Sequence, residues 1–234
     1  MLAEQGYRVA VGDLDEAGGQ ETVTQIEAAG GQAACTKLDV TDHVALEAWF
    51  DEIAVRWGGL DALVNNAGIN GPIALLEDYP IEEFQRVVQV NLISVSLATR
   101  AAIPHLRRRG GGAIVNIGST ASLQGYGSLS GYTAAKHAVL GLTRSVAIEY
   151  ADVPIRVNCV CPGPVDTPLM RGIYEATNPE DPAAGRERFA QASALKRYAE
   201  GREIAAVVAF LLSDGATYVT GAAIAVDGAI TAGV

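Results

Sequence analysis

The sequence is poor in positive charge. Its 234 residues carry 17 lysines and arginines against 27 aspartates and glutamates, a formal net charge of −10. A nucleic-acid binder needs a basic footprint to neutralise phosphates, and anionic lipid attracts clustered basic residues, so neither partner class is expected. No apolar run reaches the ~18–20 residues of a bilayer span, and the N-terminus has no signal-peptide pattern. Cysteine is scarce: Cys35, Cys159 and Cys161 form an odd trio without zinc-ligand spacing, which points to a reducing, cytoplasmic setting. Cys159 and Cys161, two apart in one strand, are expected to face opposite sides and form no disulfide. His43, His105 and His137 make no metal-ligand pattern either, and surface or helix-face roles are expected for them. There is no Gly-x-Ser-x-Gly elbow, which argues against an α/β-hydrolase.

What is present is a rhythm. Hydrophobic residues make up 49% and charged residues 19%, enough apolar side chain for one domain over residues 1–234. Short apolar runs at 8–11, 61–64, 113–117, 155–158 and 223–226 read as strands covered on both faces. Helical patterns at 15–29, 42–57, 81–108, 131–150 and 202–213 separate them, and Gly6, Gly30, Gly58 and Gly110 fall where helices should stop. The alternation predicts an α/β fold with a doubly wound parallel sheet between two helical layers. Residues 168–200 break the rhythm, being rich in Pro, Gly, Arg and Glu with no strand. That segment reads either as a mobile lid beside a ligand site or as a surface insertion.

Four features carry chemistry. Asp13 ends the first strand, where a carboxylate can hydrogen-bond both ribose hydroxyls of an adenosine and repel a 2′-phosphate; a turn or N-cap aspartate fits equally. Asn65-Asn66-Ala67-Gly68 follows a strand at the carboxyl edge where open α/β sheets bind ligands, though a simple turn has the same composition. Tyr132 and Lys136 stand four apart, on one face of a helix. An ammonium beside the phenol would favour phenolate, and lowering a tyrosine from about 10 to about 7 takes ~4 kcal/mol. Such a tyrosine can exchange a proton with an alcohol or carbonyl oxygen; an ordinary exposed pair is the plain alternative. Ser119 lies thirteen residues ahead of Tyr132, just past a strand, where its hydroxyl could hold the same oxygen.

Taken in order, these pieces resemble the short-chain dehydrogenase/reductase family over essentially the whole chain. The matching segments are Asp39-Val40, Asn65-Asn66-Ala67-Gly68, Asn91, Ser119, Tyr132-Thr133-Ala134-Ala135-Lys136, Pro162-Gly163-Pro164-Val165-Asp166-Thr167 and Val226-Asp227-Gly228. The resemblance implies a Rossmann-like three-layer fold and a tetrad. Tyr132 would be the general acid/base and Ser119 would orient the substrate oxygen. Lys136 would hold the nicotinamide ribose and lower the phenol pKa, and Asn91 would keep a water in the proton relay. For the cofactor, the resemblance puts Asp13 and Leu14 at the adenosine ribose, Asp39 and Val40 beside the adenine, and Asn66, Ala67 and Gly68 along the ribose. Pro162, Gly163, Val165 and Thr167 would hold the nicotinamide. NAD is the expected cofactor, a small alcohol or ketone the substrate, and a homotetramer through helices 81–108 and 131–150 the assembly. Leu123, Gln124, Tyr126, Ile69, Asn70, Met170 and Tyr174 are candidates to line the pocket.

One departure stands out. The family opens with a strand, a Thr-Gly-x-x-x-Gly-x-Gly turn and a helix whose N-terminus receives the pyrophosphate. The segment Met1–Gly6 matches only the end of that helix. The fold is therefore expected to lack its first strand, with two interior sheet edges left unpaired. A misplaced start is the preferred explanation; a degenerate paralogue and a strand supplied by another chain are the others. The rival functional readings are a 3-oxoacyl thioester reductase of the same family and a non-catalytic binding or regulatory protein.

Overall fold

Capping residues mark several of the helix boundaries in the computed structural model, which describes residues 1–233. The order is β1 (Arg8–Asp13), α1 (Glu16–Ala28), β2 (Gln32–Lys37), α2 (His43–Trp57), β3 (Ala62–Asn65), α3 (Ile81–Val88) and α4 (Ser94–Arg108). Then come β4 (Gly112–Ile117), α5 (Ser130–Glu149), β5 (Ile155–Pro162), α6 (Pro168–Thr177), α7 (Pro182–Ala192), α8 (Gly201–Leu212) and β6 (Ala223–Val226). Asp42 caps α2 by accepting from the Val44 and Ala45 amides at 3.0 and 3.1 Å, which satisfies two of the helix's free donors. Gly58 ends α2 at φ +79 and Gly110 follows α4 at φ +86, left-handed geometry that other residues adopt only with strain.

Every strand pairing is parallel, but the sheet is in two parts. β1 pairs β2 from Arg8–Gln32 to Asp13–Lys37, and a second sheet runs β3-β4-β5-β6. β1 and β3 are each bonded on one side only. Strand β2 was not legible as an apolar run, because Gln32-Ala33-Ala34-Cys35-Thr36-Lys37 carries no large aliphatic side chain.

Two cores cover the four-stranded sheet. On one face Leu46 and Phe50 of α2, Ala102, Ile103 and Leu106 of α4, and Val146 of α5 pack on Leu63, Ile114, Ile155 and Val157. On the other, Ile204, Val208, Leu211 and Leu212 of α8 meet Ala113, Val115 and Val160. Helix, sheet and helix make the three layers. The 28-residue run Ile81–Arg108 is, by length and composition, long and apolar enough to cross a bilayer, though charged residues interrupt it; half of its most apolar window is buried within the fold. It works here as a core helix, interrupted by a π turn at Gln89–Ile93.

Two expectations are corrected. Alternate residues of a strand share a face, so Cys159 and Cys161 point the same way, with Sγ atoms 3.8 Å apart. His105 is buried rather than on a surface. Burial, then the Arg108 guanidinium, lowers its pKa; Nδ1 lies 2.6 Å from Arg108 and Nε2 3.3 Å from Asp51. A neutral ring that accepts at Nδ1 and donates at Nε2 satisfies both.

Leu106 is fully enclosed between α2, α5 and the sheet. Leu106→Ala is expected to cost about 2–5 kcal/mol, read as a lower urea midpoint at unchanged slope. A loss below about 1 kcal/mol would mean that the neighbouring side chains close the hole.

Candidate active site

β4 delivers the site. Its last residue, Ile117, offers its carbonyl to the Lys136 ammonium at 2.8 Å. Two residues on, Ser119 caps the short turn Thr120–Ser122. Its Oγ accepts from the Ala121 amide at 3.1 Å, and its own amide donates to Ser122 Oγ at 3.2 Å. Using a lone pair for the cap leaves the Ser119 O–H free to donate elsewhere. Helix α5 opens at Ser130, so Tyr132 lies in its first turn and Lys136 one turn deeper.

Lys136 is 4% exposed, and its Nζ sits 5.6 Å from the centre of the Tyr132 ring. Burial lowers its pKa to about 8, with the Cys159 and Cys161 thiols acting the other way. The contact with Cys161, then burial, holds the Cys159 thiol well above its ordinary range. Tyr132 departs from expectation. Burial raises its phenol above the usual value; the nearby Ser119 hydroxyl pulls it back, and Tyr126 pushes it up further. Burial is the largest influence on the phenol, so the chain alone holds it protonated.

Asn91 occupies the π turn, fully buried. Its side chain clasps one residue twice, accepting from the Ile69 amide at 2.8 Å and donating to the Ile69 carbonyl at 2.7 Å. That grip sets the path of the loop after β3. A Cβ added at Gly68 would meet Asn91 Oδ1 at 3.0 Å and lie 3.7 Å from Lys136 Nζ, so only glycine runs there undisturbed. Asn65 does tie neighbouring elements together. Its Nδ2 donates to Asn116 Oδ1 at 2.8 Å and to Thr99 Oγ1 at 3.2 Å, and Asn116 donates on to Thr143 Oγ1 at 2.9 Å.

Asn91, Gly68, Ser119, Tyr132 and Lys136 thus converge. Asn66 and Ala67 are exposed beside Gly68. Asp13 ends β1 and Leu14 follows it, and Asp39 and Val40 follow β2, so these four lie at the other sheet. Asp13 spends one carboxylate oxygen on the Asp15 amide at 2.9 Å. Asp39 is held by the Thr41 amide and hydroxyl, which lower its pKa. Pro162 closes β5. Gly163 runs so close to Asp227 that a Cβ would lie 2.8 Å from its Cα. Val165 bridges to Ala199, and Thr167 caps α6. Asn70 reaches the same segment, donating to the Leu169 carbonyl at 2.8 Å. Contacts that no motif signalled are the Ile117 carbonyl, the Ile69 backbone and a hydroxyl chain through Thr120 and Tyr126. Each depends on loop geometry rather than on residue type.

A family model described as "Enoyl-(Acyl carrier protein) reductase" matches residues 1–231. The chain belongs to the short-chain dehydrogenase/reductase family. It is 40% identical over 232 residues to a cis-4-hydroxycyclohexanecarboxylate dehydrogenase of Sinomonas cyclohexanicum, spanning 99% of this chain and 90% of that one. The crystal structure of levodione reductase superposes with a TM-score of 0.97 at 37% identity, covering 100% of this chain and 91% of the other. Two more solved relatives differ in cofactor. NAD+-bound xylitol dehydrogenase matches at TM-score 0.94 and 28% identity, over 97% of this chain and 90% of that one. An actinorhodin polyketide ketoreductase variant with NADPH matches at 0.93 and 33%, over 98% and 89%. The protein is a short-chain oxidoreductase whose relatives act on secondary alcohols and their ketones.

The buried ammonium has a measurable consequence. Folded Lys136 releases its proton near pH 8, against 10.5 for an ordinary lysine. The unfolded chain therefore binds more protons between these values, and stability contributed at this site rises with pH across the window. Lys136→Met lacks that proton. Wild-type stability relative to the variant is expected to improve by on the order of 2–3 kcal/mol between about pH 7 and about pH 10 in urea titrations. A difference that stays constant with pH would show the ammonium to be solvated.

Proposed function

We propose that the protein interconverts a secondary alcohol and a ketone with NAD as hydride carrier. The meeting of Ser119 and Tyr132 over the buried Lys136, with Asn91 and Gly68 against it, carries this reading. The residues present suit both ends of such a cofactor. Asp13 keeps one carboxylate oxygen for ribose hydroxyls, and Gly68 and Gly163 let a ligand approach backbone where a side chain would collide. Asn66 and Ala67 would run along the ribose, with Leu14 beside Asp13 there, Asp39 and Val40 around the adenine, and Pro162, Val165 and Thr167 around the nicotinamide. Among the described residues no glycine-rich turn follows a strand to cradle the phosphates.

When bound, the cofactor would supply hydride chemistry, as acceptor toward an alcohol carbon and donor toward a carbonyl carbon. In ketone reduction Tyr132, held protonated by burial, donates its proton to the oxygen that becomes the alcohol. Ser119 turns its free O–H on the same oxygen and stabilises the charge that develops there. In alcohol oxidation Tyr132 must first lose its proton, and the Ser119 hydroxyl and the Lys136 ammonium are the groups that favour the phenolate. Because the Asn91 amide grips Ile69, a water in the proton relay would rest on the Asn91 backbone carbonyl, in the π turn. Helices α6 and α7 would act as the substrate lid, tethered to the site through Asn70. The relatives' names favour a ring alcohol as substrate. The reading includes a cytoplasmic enzyme with three free thiols, and a homotetramer through the helices that expose Ile81, Ile93 and Ile148.

Tyr132→Phe keeps ring and packing while deleting the proton. Turnover of a cyclohexanol or cyclohexanone is expected to fall by about 10²–10⁴-fold, with dinucleotide affinity by calorimetry unchanged; a variant as active as wild type would remove Tyr132 from the mechanism. Through Asp13, kcat/KM is expected to favour NAD over NADP by at least about tenfold, the effect of roughly 1.4 kcal/mol of charge repulsion. Preference for NADPH would instead favour the thioester reductase, and no binding of either dinucleotide would favour the non-catalytic reading.

A further inference from the structure

The loop from β4 to α5 carries Ser119 at one end and Tyr132 at the other, and a chain of side-chain hydrogen bonds crosses it. The Tyr126 hydroxyl donates to Thr120 Oγ1 at 2.8 Å and accepts from Gln124 Nε2 at 2.7 Å. Thr120 is buried and is the first residue of the turn that Ser119 caps. Further along, Ser128 takes a left-handed φ of +63 and its carbonyl accepts from the Ala74 amide at 3.0 Å, which fastens the loop to the one following β3. The Ser119 turn is thus held from beneath by Tyr126 rather than by a longer helix, since Thr120–Ser122 is a single turn.

We propose that Tyr126 is a positioning residue: its bond to Thr120 holds the Ser119 turn so that the Ser119 hydroxyl faces Tyr132 and the substrate oxygen. This rests on the reading of Ser119 and Tyr132 given above. Deleting the Tyr126 hydroxyl leaves Thr120 and Gln124 without their partner, and the Ser119 hydroxyl loses its fixed aim. The groups that act on the Tyr132 phenol are Ser119 and Tyr126 from the loop and Lys136 from its own helix. Of these, Ser119 lowers its pKa, whereas Tyr126 raises it. A misplaced Ser119 therefore drives the Tyr132 titration up, while mere loss of the Tyr126 hydroxyl drives it down.

The test compares wild type, Tyr126→Phe, Thr120→Val and the double variant. Tyr126→Phe is expected to lower kcat about tenfold, the worth of one hydrogen bond, with cofactor KM unchanged. The pH profile for alcohol oxidation should move to higher pH. The double variant should lose no more than the worse single, and amide exchange over residues 119–124 should quicken without substrate. The exposed Tyr218→Phe serves as control, with wild-type kcat. Additive losses, a kcat within about twofold of wild type, a profile that is unmoved or shifted down, unchanged exchange, or failure of Tyr126→Phe to fold would each overturn the proposal. A wild type that turns over no secondary alcohol would sink the proposed function, and the exchange measurement would still decide whether Tyr126 holds the turn.

Discussion

The structure turns on one buried charge. An ammonium with 4% exposure must be hydrogen-bonded or lose its proton, and Lys136 meets that demand by donating to the carbonyl at the end of β4. The bond pins the first turns of α5 to the edge of the sheet. With Lys136 fixed, the helix repeat places Tyr132 one turn back, over the same edge, and Ser119 two residues past the accepting carbonyl. The desolvation that depresses the lysine is also what raises the tyrosine, because both share one dry corner.

Around that corner the polar groups are largely matched in pairs. Asn91 closes both hydrogen-bonding groups of Ile69, and Asn65, Asn116 and Thr143 run as a chain from β3 through β4 to α5. Such chains stabilise modestly per bond but cost heavily if one member is removed. They explain how a parallel sheet of short strands can present loops with defined geometry. The glycines at 68 and 163 complete the picture, since each runs where a side chain would collide with Asn91 or Asp227.

The electrostatics set the resting protonation of the site. Burial holds the Tyr132 phenol protonated, so under the proposed function it would start as the acid toward a carbonyl oxygen. Reaching the base would require the site to favour phenolate more strongly, and the Ser119 hydroxyl already acts in that sense. The orientation of one serine thus matters more than its chemistry alone suggests.

Residue type and spacing determined a good deal. The alternation of apolar runs with amphipathic stretches announced the α/β fold, because each period reflects burial on two faces or one. The four-residue step from Tyr132 to Lys136 placed them on one helical face, and Asp13 and Asn65-Asn66-Ala67-Gly68 marked the carboxyl ends of strands. What escaped were features set by contacts between distant segments. β2 lacks large aliphatic side chains and exists through its pairing with β1. His105 is buried by neighbours from α2, and the face shared by Cys159 and Cys161 follows from the two-residue period of the strand that holds them. The spacing points to the lysine neighbour as the control on the tyrosine's titration, yet only the folded chain shows that desolvation dominates. Sequence determined which groups are available and on which face they lie; tertiary structure decided which of them meet, because burial and hydrogen-bond geometry arise only when remote loops close on the same strand end.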